Sequence, residues 1–104
     1  MIAICMRRQA LPSKRMPEWE EVAACACAAQ NMHLMASALG VGAYWSSWHA
    51  AQRDAPEMAV FLGLDAAAGD RCLGFMVCGV AAPGAAAAVR AARRPLGGKV
   101  EWRD

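Results

Sequence analysis

The distribution of charged residues divides the chain into segments of different character. From Val22 to Gln52 there is no Asp, Glu, Lys or Arg, and the first half of this segment is apolar on nearly all sides of a helix. Pro17 suits the first position of a helix, and the glutamates that follow place negative charge at the positive end of the helix dipole. Because Gly40 is a typical helix terminator, the pattern predicts a long buried helix from Glu18 to Leu39.

Shorter apolar runs predict the remaining elements. Two runs without polar interruption predict buried strands, one over Ile2–Met6 and the other over Cys72–Val80. The uncharged aromatic segment Ala43–Trp48 predicts a short strand or a tight turn. A short helix over Glu57–Leu62 is predicted from the cap residue Asp54 and the following Pro56, with Gly63 ending it.

These elements predict a single mixed α/β half-domain of the α+β class, in which the sheet is incomplete. Residues 1–82 supply the core in the order strand, long helix, short helix, strand, and residues 83–104 form an extended basic arm with an alanine tract. A chain of 104 residues has little material with which to surround a helix that is apolar on most sides. We therefore expect a dimer or a missing segment to cover it, and aggregation if neither does.

The length of the charge-free segment raises a membrane span as an alternative. Gly40 and Gly42 interrupt the segment, its first half carries several polar side chains, and much of its apolar content is alanine, which contributes little transfer free energy. These features favour a soluble helix, and no membrane partner is expected.

Composition and charge exclude several classes of protein. With 58% hydrophobic residues and a formal net charge of +2, the chain resembles neither a disordered polyelectrolyte nor a nucleic-acid-binding domain. The basic cluster of Arg90, Arg93 and Arg94 is compatible with binding a phosphate or with merely solvating the arm.

Five cysteines without a CxxC pair indicate reduced thiols and a cytoplasmic or other reducing location. Cys25 and Cys27 lie about 200° apart around a helix, so no metal site is predicted. Ser46, Ser47 and His49 are too close in sequence for a catalytic triad, and no catalytic residue is assigned. Glycines 40 and 42, followed by an aromatic and two serines, suggest instead a backbone that approaches a flat ligand.

Seven segments that together span nearly the whole chain carry a distinctive order of residues, namely Pro17–Glu20, Ala28–Ala36, Ala38–Ser47, Leu62–Leu64, Cys72–Gly79, Arg93–Leu96 and Val100–Trp102. In this order they resemble the nitroreductase family. The match is most specific between Gln30 and Ser47.

The resemblance implies a homodimeric enzyme that binds FMN at the subunit interface. Such enzymes accept hydride from NAD(P)H and pass it to nitroaromatics, quinones or similar small electrophiles. By resemblance, the turn formed by Trp45, Ser46 and Ser47 contacts the flavin, and Arg93 or Arg94 holds the phosphate. The isoalloxazine ring carries the hydride chemistry, while the protein binds and orients it.

The sequence departs from the family pattern at its start. The family's N-terminal half, with the arginine-rich segment that grips the FMN phosphate, has no counterpart, and Arg7 and Arg8 follow a strand instead of opening a helix. The expectation is a C-terminal half-domain that alone binds FMN weakly. The alternative function is that of a non-catalytic remnant or interaction subunit that has lost flavin binding.

Overall fold

A computed structural model describes residues 1–85, 95, 97–101 and 103. Strand β1 (Ile2–Met6) leads through a short 3₁₀ helix (Pro12–Lys14) to helix α1 (Glu18–Ala38). Strand β2 (Gly42–Ser46), helix α2 (Ala50–Arg53), helix α3 (Pro56–Leu62) and strand β3 (Arg71–Gly79) follow. The α+β class and the order of the main elements are confirmed, whereas most of the arm lies outside the described residues.

The three strands form an antiparallel sheet with β3 in the centre, flanked by β1 and β2. The pairing of β1 with β3 contains a bulge: Ile4 lies opposite Gly74, but Cys5 lies opposite Cys72. Leu73 is therefore an extra residue on β3. A bulge of this kind bends the strand and increases its twist.

Helix α1 packs against one face of this sheet. Ile4 of β1, Ala29 of α1 and Met76 of β3 form the buried core, and partly buried apolar residues pack around them, namely Cys25, Met32, Ala43 and Leu73. Positions along α1 that face the sheet recur every three or four residues, as expected for a helix with one covered face.

The opposite face of α1 is exposed, so the chain alone does not surround this helix, as the sequence analysis expects, and what covers that face stays a prediction. Within the described residues only Ala29 of this helix is fully buried, while Leu34 and Met35 are 59% and 61% exposed. A three-stranded sheet is wide enough to cover one side of a helix and no more. In the described part of the chain, no helix is long and apolar enough to cross a membrane.

The ends of α1 differ slightly from the prediction. Pro17 is the residue before the first helical position, not the first position itself. At the other end Gly40 has φ of 70°, and the Val41 amide donates to the Ala36 carbonyl at 2.8 Å. This way of ending the helix requires a residue in the left-handed conformation, which glycine adopts without steric cost.

The cap predicted for the short helix is wrong. Ala55, not Asp54, precedes α3, and it makes no side-chain cap. Asp54 instead ends α2, a helix that the sequence analysis missed, and its carboxylate accepts hydrogen bonds from Arg53. Gly63 does end α3, again with a left-handed φ of 64°.

Two arginines after β1 connect the elements that surround the sheet. The Arg7 guanidinium donates to the Gly63 carbonyl at 2.8 Å, and the Arg8 guanidinium lies 2.7 Å from the Glu21 carboxylate on α1. The Arg8 backbone amide donates to the Asp70 carboxylate, which also accepts from the Asp65 amide. The Asp65 and Arg8 amides hold the pKa of Asp70 below its usual value, with burial opposing them.

We expect Arg8→Met to lower the free energy of unfolding by roughly 1–3 kcal/mol, because it leaves the Glu21 carboxylate partly buried and unpaired. Both side chains of this ion pair are only 15% exposed. The matched control is Arg71→Met, because the side chains of Arg71 and Glu18, which form an ion pair, are 60% and 46% exposed. This substitution should change the free energy of unfolding by about 0.5 kcal/mol or less. Urea unfolding measures the stability of both variants. Equal losses of unfolding free energy would contradict a stabilising role for the ion pair between Arg8 and Glu21.

Candidate functional site

The segment assigned to flavin contact lies where β2 ends and the chain turns toward α2. Trp45 and Ser46 are the last two residues of β2, opposite Met76 and Phe75 of β3, and Ser47 begins the turn. The structure therefore places the first two residues on a strand held by the sheet, and leaves Ser47 exposed beyond it.

The indole of Trp45 is anchored to the bulge in β3. Its Nε1 donates a hydrogen bond to the Leu73 carbonyl at 3.1 Å, while the side chain stays 39% exposed. Gly74, with φ of 123°, lies so close to β2 that a Cβ there would collide with the Ser46 carbonyl oxygen and lie 2.8 Å from the indole nitrogen. The absence of a side chain at Gly74 thus allows Trp45 and Ser46 to lie directly against β3.

The turn itself is stabilised by local contacts. The Ser46 hydroxyl accepts a hydrogen bond from the Trp48 amide at 3.1 Å, as serine commonly does in turns. Trp48 adopts a left-handed φ of 58°, which is uncommon for a bulky residue. Its ring packs edge-on against Phe75 with 5.6 Å between ring centroids, and this aromatic contact offsets the backbone strain.

Arg53 fixes the far side of the turn, a role that the sequence analysis missed. Its Nη1 donates to the Ser47 carbonyl at 3.0 Å, and its Nε and Nη2 donate to the two carboxylate oxygens of Asp54. The hydrogen bonds between the two side chains raise the pKa of Arg53 and lower that of Asp54. The sequence held a weak signal of this contact, an adjacent Arg-Asp pair just after the turn.

An open cavity of about 500 Å³ adjoins the turn between α2, α3 and β3. It shares Arg53 and Leu73 with the turn, and its other walls combine small apolar residues with Asp54, Asp70 and Arg71. The cations that line it are already engaged, Arg53 with Asp54 and Arg71 with Glu18. The cavity is therefore polar without an uncompensated positive charge among these residues.

The predicted site residues are brought together only in part. Trp45, Ser46 and Ser47 follow one another at the end of β2 and the start of the turn, whereas Arg93 and Arg94 lie outside the described residues. Among the residues that the structure does describe, no group of three or more His, Cys, Asp or Glu side chains is arranged to hold a metal ion.

The fold and the turn together define a small α+β domain that presents an anchored aromatic turn at one edge of an antiparallel sheet. A model of the Nitroreductase family matches residues 2–80, which include all three strands and the whole turn. The chain belongs to the nitroreductase family, whose members are flavin-dependent oxidoreductases. No curated protein and no solved structure gives a significant match to the chain.

We expect Gly74→Ala to lower the free energy of unfolding by roughly 2–4 kcal/mol, because the new methyl group meets the Ser46 carbonyl and the backbone is left-handed there. Gly79→Ala is the matched control in the same strand, since nothing lies within 4 Å of its Cβ position. That change should be neutral or slightly stabilising. Denaturant unfolding with tryptophan fluorescence distinguishes the two, and similar midpoints would show that the close contact is unimportant.

Proposed function

We propose that this chain contributes to an FMN-dependent oxidoreductase that takes hydride from NAD(P)H and passes it to nitroaromatic, quinone or similar electrophilic acceptors. That the chain is related to flavin-dependent oxidoreductases follows from its family. The observation that carries the proposal of an FMN site is the anchored segment of Trp45, Ser46 and Ser47, which lies wholly within the residues matched by the family model.

The residues of the turn fit one edge of a flavin ring. An isoalloxazine is flat and largely apolar, with carbonyl groups along one edge, and the indoles of Trp45 and Trp48 are 39% and 40% exposed beside the turn. Backbone amides in an exposed turn are the donors that such carbonyls accept. Trp45, Ser46 and Trp48 each also make a hydrogen bond within the protein, so the surface is formed before a ligand arrives.

When bound, FMN would supply the hydride chemistry, accepting from the nicotinamide and donating to the acceptor. The contribution of the turn is to hold one ring edge in a fixed position. Arg53 stabilises the turn, because its guanidinium donates a hydrogen bond to the Ser47 carbonyl and is itself paired with Asp54. Fixed orientation of this kind is the main protein contribution to reactions whose chemistry belongs to a cofactor.

For the phosphate we propose Arg93 and Arg94. A phosphate carries close to two negative charges near neutral pH, and each charge-assisted hydrogen bond to it contributes about 1.5–3 kcal/mol. Two arginines can provide only a few such bonds. This supports weak FMN binding by the 104-residue chain and a strong dependence on any further cations.

We also propose that the chain forms a homodimer through the exposed face of α1. From Val22 to the end of the helix this face carries no charge, and it presents Leu34 and Met35 to solvent. An uncharged helix face that exposes large apolar side chains is characteristic of subunit interfaces. A twofold axis would pair the face with itself, which needs no second type of partner.

The dimer proposal predicts that Leu34→Glu combined with Met35→Glu shifts the chain toward monomer. The new carboxylates of one protomer would be buried at the interface and would repel those of the other protomer. Val60→Glu is the control, since Val60 is 81% exposed on α3 and lies away from this face. Sedimentation equilibrium at micromolar concentrations measures the assembly. A well-folded monomer in the unmodified chain would refute the proposal.

The flavin proposal predicts that Ser47→Pro weakens FMN binding at least about tenfold, since proline removes the amide donor. Ser46 is extended within β2, so a following proline is sterically compatible, whereas proline at Ser46 itself would disturb the strand. Ser47→Ala, which keeps the amide, should bind FMN like the unmodified chain. Titration to near-millimolar FMN, with quenching of flavin fluorescence as readout and circular dichroism as a check on folding, compares the three.

Equal affinity in the proline and alanine variants would contradict the backbone role at Ser47. If the unmodified chain binds no FMN across this range but still dimerises, the alternative function is favoured, that of an interaction subunit without flavin. The charge-free face of α1 supports this alternative, because two chains can associate through that face without a cofactor.

A further inference from the structure

Two cysteines lie opposite each other on the neighbouring strands β1 and β3, beside the bulge. Cys5 of β1 is the direct partner of Cys72 in the antiparallel pairing of β1 with β3. Directly opposed residues in such a pairing have Cα atoms about 4.5–5.5 Å apart. Disulfides span Cα separations of about 4.4–6.8 Å, a range that includes this usual spacing.

The surroundings of Cys5 include the Cys72 thiol. Burial, and after it the neighbouring Cys72 thiol, raises the pKa of the Cys5 thiol. Cys72 is 7% exposed and its thiol donates a weak hydrogen bond to the Gly74 carbonyl at 3.6 Å, whereas Cys5 is more accessible. Cys5 is therefore the more accessible of the two thiols to a reagent from solution.

The other three cysteines are placed differently. Cys25 approaches from α1, and its thiol donates to the Cys5 backbone carbonyl at 3.7 Å, so it is the nearest competing thiol. Cys27 and Cys78 are exposed, and Cys78 lies opposite Ala43 in the sheet. Only Cys5 and Cys72, among the five, are paired with each other by the strand register.

We propose that Cys5 and Cys72 form a reversible intrachain disulfide by exchange with a low-molecular-weight disulfide such as glutathione disulfide. The Cys5 thiolate attacks one sulfur of glutathione disulfide, forms a mixed disulfide and releases one glutathione thiolate. The Cys72 thiolate then attacks the Cys5 sulfur and releases the second glutathione. The two protein thiols lose two electrons and two protons, and one glutathione disulfide becomes two glutathione molecules.

The bond would join two strands that lie far apart in sequence. A disulfide between Cys5 and Cys72 encloses most of the chain in one loop, which restricts the unfolded state and raises the resistance of the sheet to unfolding. It also lies two residues from Gly74, at the bulge that receives the Trp45 indole. Oxidation therefore acts on the part of the sheet that supports the aromatic turn.

The test uses the full chain with Cys27→Ser and Cys78→Ser, which removes the two exposed thiols. Each remaining cysteine then lies on its own tryptic peptide, residues 1–7, 16–53 and 72–90. The folded protein is incubated with excess glutathione disulfide at about pH 8.5, where a larger fraction of each thiol is ionised than at neutral pH. Free thiols are then alkylated, and the digest is examined by mass spectrometry with and without reductant.

The expected product joins peptides 1–7 and 72–90, and glutathione or another thiol reductant releases it. Cys25→Ala should leave its yield unchanged within about twofold, whereas Cys5→Ala and Cys72→Ala should each lower it at least about tenfold. The oxidised protein should unfold at a higher urea concentration than the reduced one. A dominant link to peptide 16–53, glutathione adducts without an intrachain link, or loss of the product in Cys25→Ala would overturn the proposal.

Discussion

The bulge at Leu73 in the central strand is the constraint on which the rest of the structure depends. It changes the register between β1 and β3 by one residue, so that Ile4 faces Gly74 but Cys5 faces Cys72. Leu73 consequently packs toward the core while its carbonyl accepts the Trp45 indole. One additional residue thus determines the core packing, the seating of the aromatic turn and the alignment of two thiols.

Gly74 is the position at which this constraint is most severe. Its left-handed backbone and missing side chain allow β2 to approach β3 closely enough for Trp45 to reach the Leu73 carbonyl. Any other residue would have to separate the strands, and the turn at Ser47 would move with β2. The requirement for glycine is therefore a requirement of the site as well as of the fold.

The sequence was sufficient to predict elements whose signal is local. Ile2–Met6 matches β1, the predicted long helix ends one residue beyond α1, and the apolar run at Cys72 locates β3 within one residue at each end. Apolar runs and terminating glycines define such elements without reference to the rest of the chain. Strand order, the bulge at Leu73 and the exposure of one face of α1 depend on contacts between distant segments, and no local pattern encodes them.

The same distinction applies to the candidate site. Trp45, Ser46 and Ser47 are contiguous, so a motif was enough to group them, and the structure adds the strand and the anchoring contacts that hold them. Arg53 restrains the turn from six residues away, and its role was hidden because arginine on a short helix is ordinarily a solvated surface residue. A supporting contact of this kind depends on the exact path of the turn, which includes a left-handed tryptophan.

The placement of the cations limits where a phosphate could be held. Arg7 donates to the end of α3, Arg8 pairs with Glu21, Arg53 with Asp54, and Arg71 with Glu18. Recruiting Arg8 to a ligand would leave the Glu21 carboxylate partly buried without its counter-ion, at a cost of roughly 1–3 kcal/mol, which is about as large as the 1.5–3 kcal/mol that a new charge-assisted hydrogen bond contributes. Arg8 therefore gains little free energy by exchanging Glu21 for a phosphate. This argument from the ion pair, which is independent of the family motif, counts against Arg8 as a phosphate ligand.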